Sequence, residues 1–251
     1  MKRYACLFLA VLAGCGGREA EPERSGVAGT VAGEERSCRD GAYRAVGSAR
    51  GAWAAVVRDS ARAYRQPGSG ELARFGRLNV NGVPTVLGIV GEVVDAACDA
   101  GWYRVRLPIK PNGSVGWVRA ADVDVESVRT RVVVDLSERR VTLFRDGKVY
   151  LRTSAVIGTR ATPTPTGTYY VNQRLIPADT SGPFGPGAIG ISAFSEVLTG
   201  WAQGGPIAIH GTNRPELIGR AASNGCIRVR NDVLLRMWRV TLSGTPVTIR
   251  A

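Results

Sequence analysis

A single histidine, His210, serves the whole 251-residue chain, and only five cysteines accompany it. No Cys-x-x-Cys pair and no Cys/His cluster at zinc-ligand spacing occurs, so the sequence offers no metal site and calls for no cofactor. Acidic side chains are in the minority: 21 Asp and Glu against 33 Lys and Arg leave a net charge of +12. The excess is scattered rather than gathered into a dense basic block or an aromatic-basic stripe. Nucleic acid is therefore not the expected partner, whereas an anionic cell-wall or membrane surface is compatible with the charge. The chain also lacks an apolar run long enough to cross a bilayer. Its longest, Tyr4 to Leu12, is too short for a mature spanning helix. Hydrophobic residues at 44% still permit a packed core.

What is there begins with that short apolar run. Lys2 and Arg3 precede it and small residues Ala13 and Gly14 follow, the layout of a secretory signal. The stretch Leu12-Ala13-Gly14-Cys15 resembles a bacterial lipoprotein box. The resemblance implies lipidation of Cys15 and a covalent anchor at the outer face of the cytoplasmic membrane, in the periplasm or cell wall. After it comes a Gly-, Glu- and Arg-rich stretch with almost no large apolar side chain. Such a stretch cannot bury enough surface to offset chain entropy, and residues 16–50 are expected to be a flexible tether.

Residues 51–126 alternate short apolar runs with turn signals. Ala52 to Val57, Val86 to Val94, Trp102 to Leu107 and Val115 to Val118 read as strands, and Asn112-Gly113 reads as a turn. The pair Gly101-Trp102-Tyr103-Arg104-Val105 and Gly116-Trp117-Val118 is similar to bacterial SH3-like domains, which implies a small β-barrel that binds wall peptides or acts as a spacer.

Residues 129–251 form a second unit. Arg131 to Leu136 predicts a strand. Arg140 to Arg145, Asp146-Gly147 and Lys148 to Leu151 predict a hairpin. Thr162-Pro163-Thr164-Pro165-Thr166-Gly167 predicts a stiff extended loop, because each proline fixes its own φ and biases the residue before it. Gly167 to Val171 resumes as a strand. A Gly- and Pro-rich loop over 177–190 could act as a lid or as a plain connection. Pro206 to Ile209 is a buried strand ending at His210. Asn231 is placed to cap a helix over 232–238, and Pro246 to Arg250 closes the chain as a strand.

The chemistry rests on the lone histidine. His210 precedes Cys226 by 226 − 210 = 16 residues. A free thiol is mostly protonated at neutral pH, and an adjacent imidazole can take its proton. Any Cys-His chemistry here has only His210 as its base. Gly211 after the histidine allows close approach. Gly225 before the cysteine allows a tight bend that would turn backbone N–H groups toward a tetrahedral oxyanion.

The unit resembles the L,D-transpeptidase (YkuD-like) catalytic domain. The likeness is carried by Val133-Val134-Asp135-Leu136-Ser137, Val156-Ile157-Gly158, the Thr-Pro repeat at 162–167, Ile209-His210-Gly211-Thr212-Asn213 and Ser223-Asn224-Gly225-Cys226-Ile227-Arg228. Asn224 departs from the pattern, which commonly has a second histidine there; an amide can still donate a hydrogen bond.

The resemblance implies a mainly β fold, with a β-sandwich catalytic domain carrying one or two short helices. It implies Cys226 as nucleophile and His210 as proton donor and acceptor. Gly225, Asn224, Ser223 and Gly211 would support the oxyanion or the site, and Arg228 would hold a substrate carboxylate. Ser223 equally fits a turn-stabilising role. The implied substrate is a peptidoglycan stem peptide, and the implied product is a 3→3 cross-link. Hydrolysis (L,D-carboxypeptidase) and attachment of a protein to the wall share the same acyl-enzyme. A non-catalytic wall-binding protein is the alternative from another class. A papain-like peptidase fits poorly, because its nucleophile precedes its histidine. With Cys6 in the signal, Cys38 and Cys98 remain over and could pair in an oxidising compartment.

Overall fold

A computed structural model describes residues 38–251 of the chain. The signal at 1–15, the lipidation candidate Cys15 and most of the expected tether lie outside the described residues. The fold is mainly β, with one α-helix among the described residues.

The first sheet contains β1 (Ala42–Ala45), β2 (Ala52–Val57), β3 (Ser60–Gln66), β4 (Ser69–Gly76), β5 (Val86–Val94), β6 (Ala100–Arg106), β7 (Val115–Arg119) and β8 (Val123–Val128). Its order is β4-β3-β7-β6-β5-β2-β8, with β1 paired on β5. Residues 38–50 were assigned to the tether, and here the structure corrects the reading. Ala42 to Ala45 pair antiparallel with Val94 to Gly91, and Cys38 is disulfide-bonded to Cys98. The segment is polar because it lies on the outside of a sheet, and its order comes from ladder bonds and a covalent tie rather than from buried side chains.

The second sheet runs β11-β10-β9-β18-β13-β14-β15-β17. Its members are β9 (Thr130–Asp135), β10 (Arg140–Arg145), β11 (Lys148–Ser154), β13 (Gly167–Leu175), β14 (Ala188–Phe194), β15 (Pro206–His210), β17 (Ile227–Arg228) and β18 (Pro246–Arg250), and a separate short pair is β12 (Ile157–Gly158) with β16 (Ala221–Ser223). The expected hairpin forms: Asp146 and Gly147 both take positive φ (53° and 78°), the geometry whose twist matches the flanking strands.

The core follows from period-two alternation. Val132, Val134, Val141, Leu143, Ile189, Ile191, Ile207, Ile209, Ile227, Val247 and Ile249 point inward, and Leu234 and Met237 of the helix α1 (Asn231–Val240) join them. The opposite face of β13-β14-β15 looks outward toward the first sheet. Tyr170 packs on Gly88, where a Cβ would lie 2.9 Å from the ring. The Asn112 side-chain amide makes two hydrogen bonds of 2.8 Å with the Phe194 backbone, one in each direction.

Candidate active site

His210 ends β15 and Cys226 immediately precedes β17. The two strands pair in parallel, with Ile209 opposite Ile227 and His210 opposite Arg228. In that register Cys226 stands beside Ala208. Side chains two residues apart share a face, so Ala208, His210, Cys226 and Arg228 all project from the same side. At about 4.8 Å between strands and about 3.3 Å per residue, the His210 and Cys226 Cα atoms are diagonal neighbours about 8 Å apart, within reach of an imidazole and a thiol extending toward each other.

His210 is buried, with 3% exposure. Its Nδ1 lies 2.7 Å from the Gly211 carbonyl, which as an acceptor fixes the proton on Nδ1 and leaves Nε2 as the basic nitrogen. The Phe184 ring, from the loop before β14, covers the imidazole with centroids 4.8 Å apart. Burial lowers the imidazole pKa from 6.5 to about 4; the Gly211 hydrogen bond pulls upward without overcoming it, and the Arg228 charge pushes it further down. Cys226 is half-buried. Burial raises its thiol pKa, while a backbone hydrogen bond from Ala208 and the Arg228 charge pull it down. A raised thiol beside a depressed imidazole makes the resting pair neutral. The proton therefore moves during attack, and no thiolate–imidazolium pair is held in advance.

The turn that presents Cys226 is held from two sides. Ser223 Oγ donates to the Cys226 carbonyl at 2.6 Å and accepts from the Gly225 N–H at 3.2 Å. On the other side, buried Thr164 accepts from the Gly158 N–H at 2.9 Å and donates to the Gly225 carbonyl at 2.8 Å, and Thr162 Oγ donates to the Ser223 carbonyl at 3.0 Å. Gly225 takes φ +109°, and a Cβ there would sit 3.0 Å from Ile207 Cδ1, so this position needs glycine on both counts.

These contacts sort the expected supporting residues. Ser223 is a turn residue: its hydroxyl is engaged by the turn and not by the His210 ring. The Gly225 N–H is taken by Ser223, so it is not the free oxyanion donor the sequence suggested. The peptide between Gly225 and Cys226 is oriented by Thr164, and in a trans peptide the N–H points opposite to the carbonyl. The Cys226 N–H thus projects away from Thr164. Asn224 is exposed on the turn. Gly211 is a packing requirement, since a Cβ would collide with Asn231 Oδ1 and lie 2.9 Å from Pro186. Arg228 is in register with His210, and its Nε is buried without a hydrogen-bond partner.

Asn231 does not cap the helix. It is the first residue of α1, and its Oδ1 accepts the Thr212 N–H at 2.8 Å, tying the helix start to the loop after His210. Sequence reading missed Thr162, Thr164, Phe184 and this use of Asn231. The alternation of Thr and Pro at 162–166 was the available signal: a stiff extended loop sends alternate hydroxyls to one side.

Comparisons with known proteins place the second unit in one family. Residues 129–249 match the family model of the YkuD L,D-transpeptidase catalytic domain. The chain is 30% identical over 126 residues to "Putative L,D-transpeptidase YkuD" of Bacillus subtilis, covering 50% of this chain and 69% of that protein. It is 27% identical over 165 residues to "Probable L,D-transpeptidase YcfS" of Escherichia coli, covering 55% of this chain and 49% of that one. Among solved structures, the L,D-transpeptidase of Enterococcus faecium is 27% identical with a TM-score of 0.38, covering 48% of this chain and 49% of that chain. By the family model and the Bacillus relative together, the chain belongs to the YkuD-type L,D-transpeptidase family.

Proposed function

We propose that the protein is an exported peptidoglycan L,D-transpeptidase working through a Cys226 thioester. The observation that carries the reading is the placement of His210 and Cys226 on one face of adjacent parallel strands, with the imidazole proton fixed on Nδ1. Family membership supplies the substrate class, the stem peptide of the cell wall.

In this mechanism Nε2 of His210 takes the thiol proton as sulfur attacks the carbonyl of the third stem residue. The tetrahedral oxyanion accepts the Cys226 N–H, whose direction is set by Thr164. Collapse breaks the peptide bond to the terminal D-alanine. The protonated Nε2 returns its proton to the leaving amine, and a thioester remains. A side-chain amine of a second stem then adds to the thioester carbonyl, gives a proton to Nε2 and expels the thiolate, which recovers that proton. The product is a 3→3 cross-link. Water in place of the amine would give a carboxypeptidase, and an amine of a protein would give an anchoring enzyme. Arg228, with its buried and unpaired Nε–H, is the donor offered to a substrate carboxylate.

The first sheet is read as an SH3-like wall-binding module. The signal and Cys15 are read as a lipid anchor that holds the enzyme outside the cytoplasm.

The test is adduct formation with a carbapenem, read as a mass increase on the intact chain. The Cys226→Ala variant should show none, and an adduct on that variant refutes the assignment. Incubation with purified muropeptides and mass spectrometry then separates cross-linking from hydrolysis and anchoring.

A further inference from the structure

Where the two sheets meet they leave a cleft of about 420 Å³, a volume in the range of small-ligand sites. Both sheets build it. Asn79 and Asn81 come from the loop between β4 and β5, Asn172 and Gln173 from β13, and Gln203 from the loop between β14 and β15. A Cβ on Gly190 would lie 3.1 Å from Asn172 Oδ1 and 2.7 Å from Gln173 Cγ, so these two side chains cover that glycine. Beyond Gly190 runs β15, which separates the cleft from Cys226. The cleft is thus a place apart from the reacting pair.

The lining is rich in carboxamides and nearly free of charge. Gln173 is 8% exposed, and its Oε1 accepts from Asn79 Nδ2 at 3.0 Å and Asn81 Nδ2 at 2.8 Å. Asn81 Oδ1 in turn accepts from Gln203 Nε2 at 2.9 Å. This chain of amides ties the walls together before any ligand arrives, which lowers the ordering cost of binding. Arg74 is the one charged side chain in the lining, and Glu71 engages it.

Polar groups are left over. Gln173 Nε2 takes part in none of these bonds, and Asn172 Oδ1 is buried with no partner. A buried acceptor without a partner is rare in a folded protein. Beside them Phe75, Phe194, Leu78 and Val80 supply apolar surface. The cleft therefore offers one free donor, one free acceptor and an apolar wall, with no carboxylate and no free cation.

We propose that this cleft binds an uncharged N-acetylated saccharide, a stretch of N-acetylhexosamine glycan. An acetamido group presents an N–H to Asn172 Oδ1, a C=O to Gln173 Nε2 and a methyl to the apolar wall. Sugar hydroxyls both donate and accept, as the surrounding carboxamides do. The C–H faces of a pyranose ring are apolar and suit the rings of Phe75 and Phe194. A stem peptide is the poorer occupant. Its free carboxylates would meet one arginine that is already paired, and its ammonium groups would meet no carboxylate. The lining carries this inference; that the saccharide comes from the cell wall rests on the transpeptidase reading above. In that setting the cleft holds the enzyme on a glycan strand while Cys226 works on the stems.

The test titrates the full chain, carrying Cys226→Ala so that no turnover adds heat, in a calorimeter. The ligands are an N-acetylglucosamine tetramer, a glucose tetramer and the stem tetrapeptide. The N-acetylated tetramer should bind with a Kd of about 1 mM or tighter, and the glucose tetramer about tenfold more weakly. In nitrogen–proton correlation spectra the N-acetylated tetramer should move the side-chain amide signals of Asn79, Asn81 and Gln173, and the tetrapeptide should leave them in place. Asn172→Leu removes the buried acceptor at similar volume. It should weaken the N-acetylated tetramer about tenfold and leave the urea midpoint unchanged or raised, since an unpaired acceptor adds nothing to the fold. Absence of saturable binding, equal binding of the two sugars, unmoved amide signals or full-strength binding to Asn172→Leu overturns the site. So does a tetrapeptide that moves the amide signals in place of the sugar. A wild-type chain that forms no carbapenem adduct refutes the transpeptidase reading, while the saccharide site still stands or falls on these titrations.

Discussion

Acidifying the medium from pH 7.5 to pH 5.5 should leave acylation of Cys226 almost unchanged. An ordinary histidine with pKa near 6.5 would be about one-tenth neutral at pH 5.5, and a reaction needing the free base would lose about 90% of its rate. Burial under Phe184 holds His210 at about 4. At pH 5.5 such an imidazole is still about 97% neutral, so the loss is a few per cent. Burial also moves the thiol upward, which places the alkaline limb above the thiol's ordinary range. The profile of kcat/KM should therefore be a broad plateau with its acid midpoint near 4. The same burial has a stability consequence of definite sign. The unfolded histidine binds a proton near 6.5 and the folded one only near 4. Stability is thus fully present above pH 6.5 and declines as pH falls toward 4, by about 3 kcal/mol at about 1.4 kcal/mol per factor of ten. The assay is the second-order rate of carbapenem adduct formation by stopped-flow absorbance across pH 4 to 9, with urea midpoints at the same values. An acid midpoint near 6.5 would refute the neutral, buried imidazole.

Thr164→Val should destabilise the chain by about 1–3 kcal/mol, because it leaves the Gly158 N–H and the Gly225 carbonyl without their shared partner in a buried site. It should also slow acylation by freeing the peptide that aims the Cys226 N–H; urea unfolding and adduct rates read the two effects separately. Replacing Cys38 and Cys98 together by serine opens a loop with a sequence separation of 60 residues. The chain-entropy estimate for that loop is about 4 kcal/mol, measurable as a lower urea midpoint, with little change in adduct rate once folded.

The elements legible in the sequence are those whose signals are local. The Asp146-Gly147 hairpin follows from two residues that accept positive φ. The strand Pro206 to Ile209 follows from an apolar run that ends at a polar loop, and α1 follows from Val233, Leu234 and Met237 at helical spacing. The tether ended too late because β1 has no buried face to announce it: Tyr43, Arg44 and Ala45 are all exposed, and pairing with β5 and the Cys38–Cys98 bond order them instead. The site was legible as a pair of residues and illegible as a geometry. His210 and Cys226 are far apart in sequence, and what joins them is the parallel pairing of β15 with β17, which no local pattern encodes.

The supporting residues were assigned less well for a related reason. A motif tells which residues travel together and not which atoms they use. Ser223, Gly225 and Asn231 each carry polar backbone or side-chain groups that could serve substrate, turn or helix, and a hydrogen-bond donor serves one partner well at a time. In the folded chain the Ser223 hydroxyl and the Gly225 N–H satisfy each other, and Asn231 satisfies Thr212. Three groups that could have faced the substrate are used to fix the backbone on either side of it. Several buried side-chain atoms among the described residues are left without a partner, and one of them, the Arg228 Nε, lies near the reacting pair. Buried polar groups without partners are rare in a folded protein. The Arg228 Nε is the one in register with His210, so it is the one that a substrate carboxylate bound beside the reacting pair would satisfy.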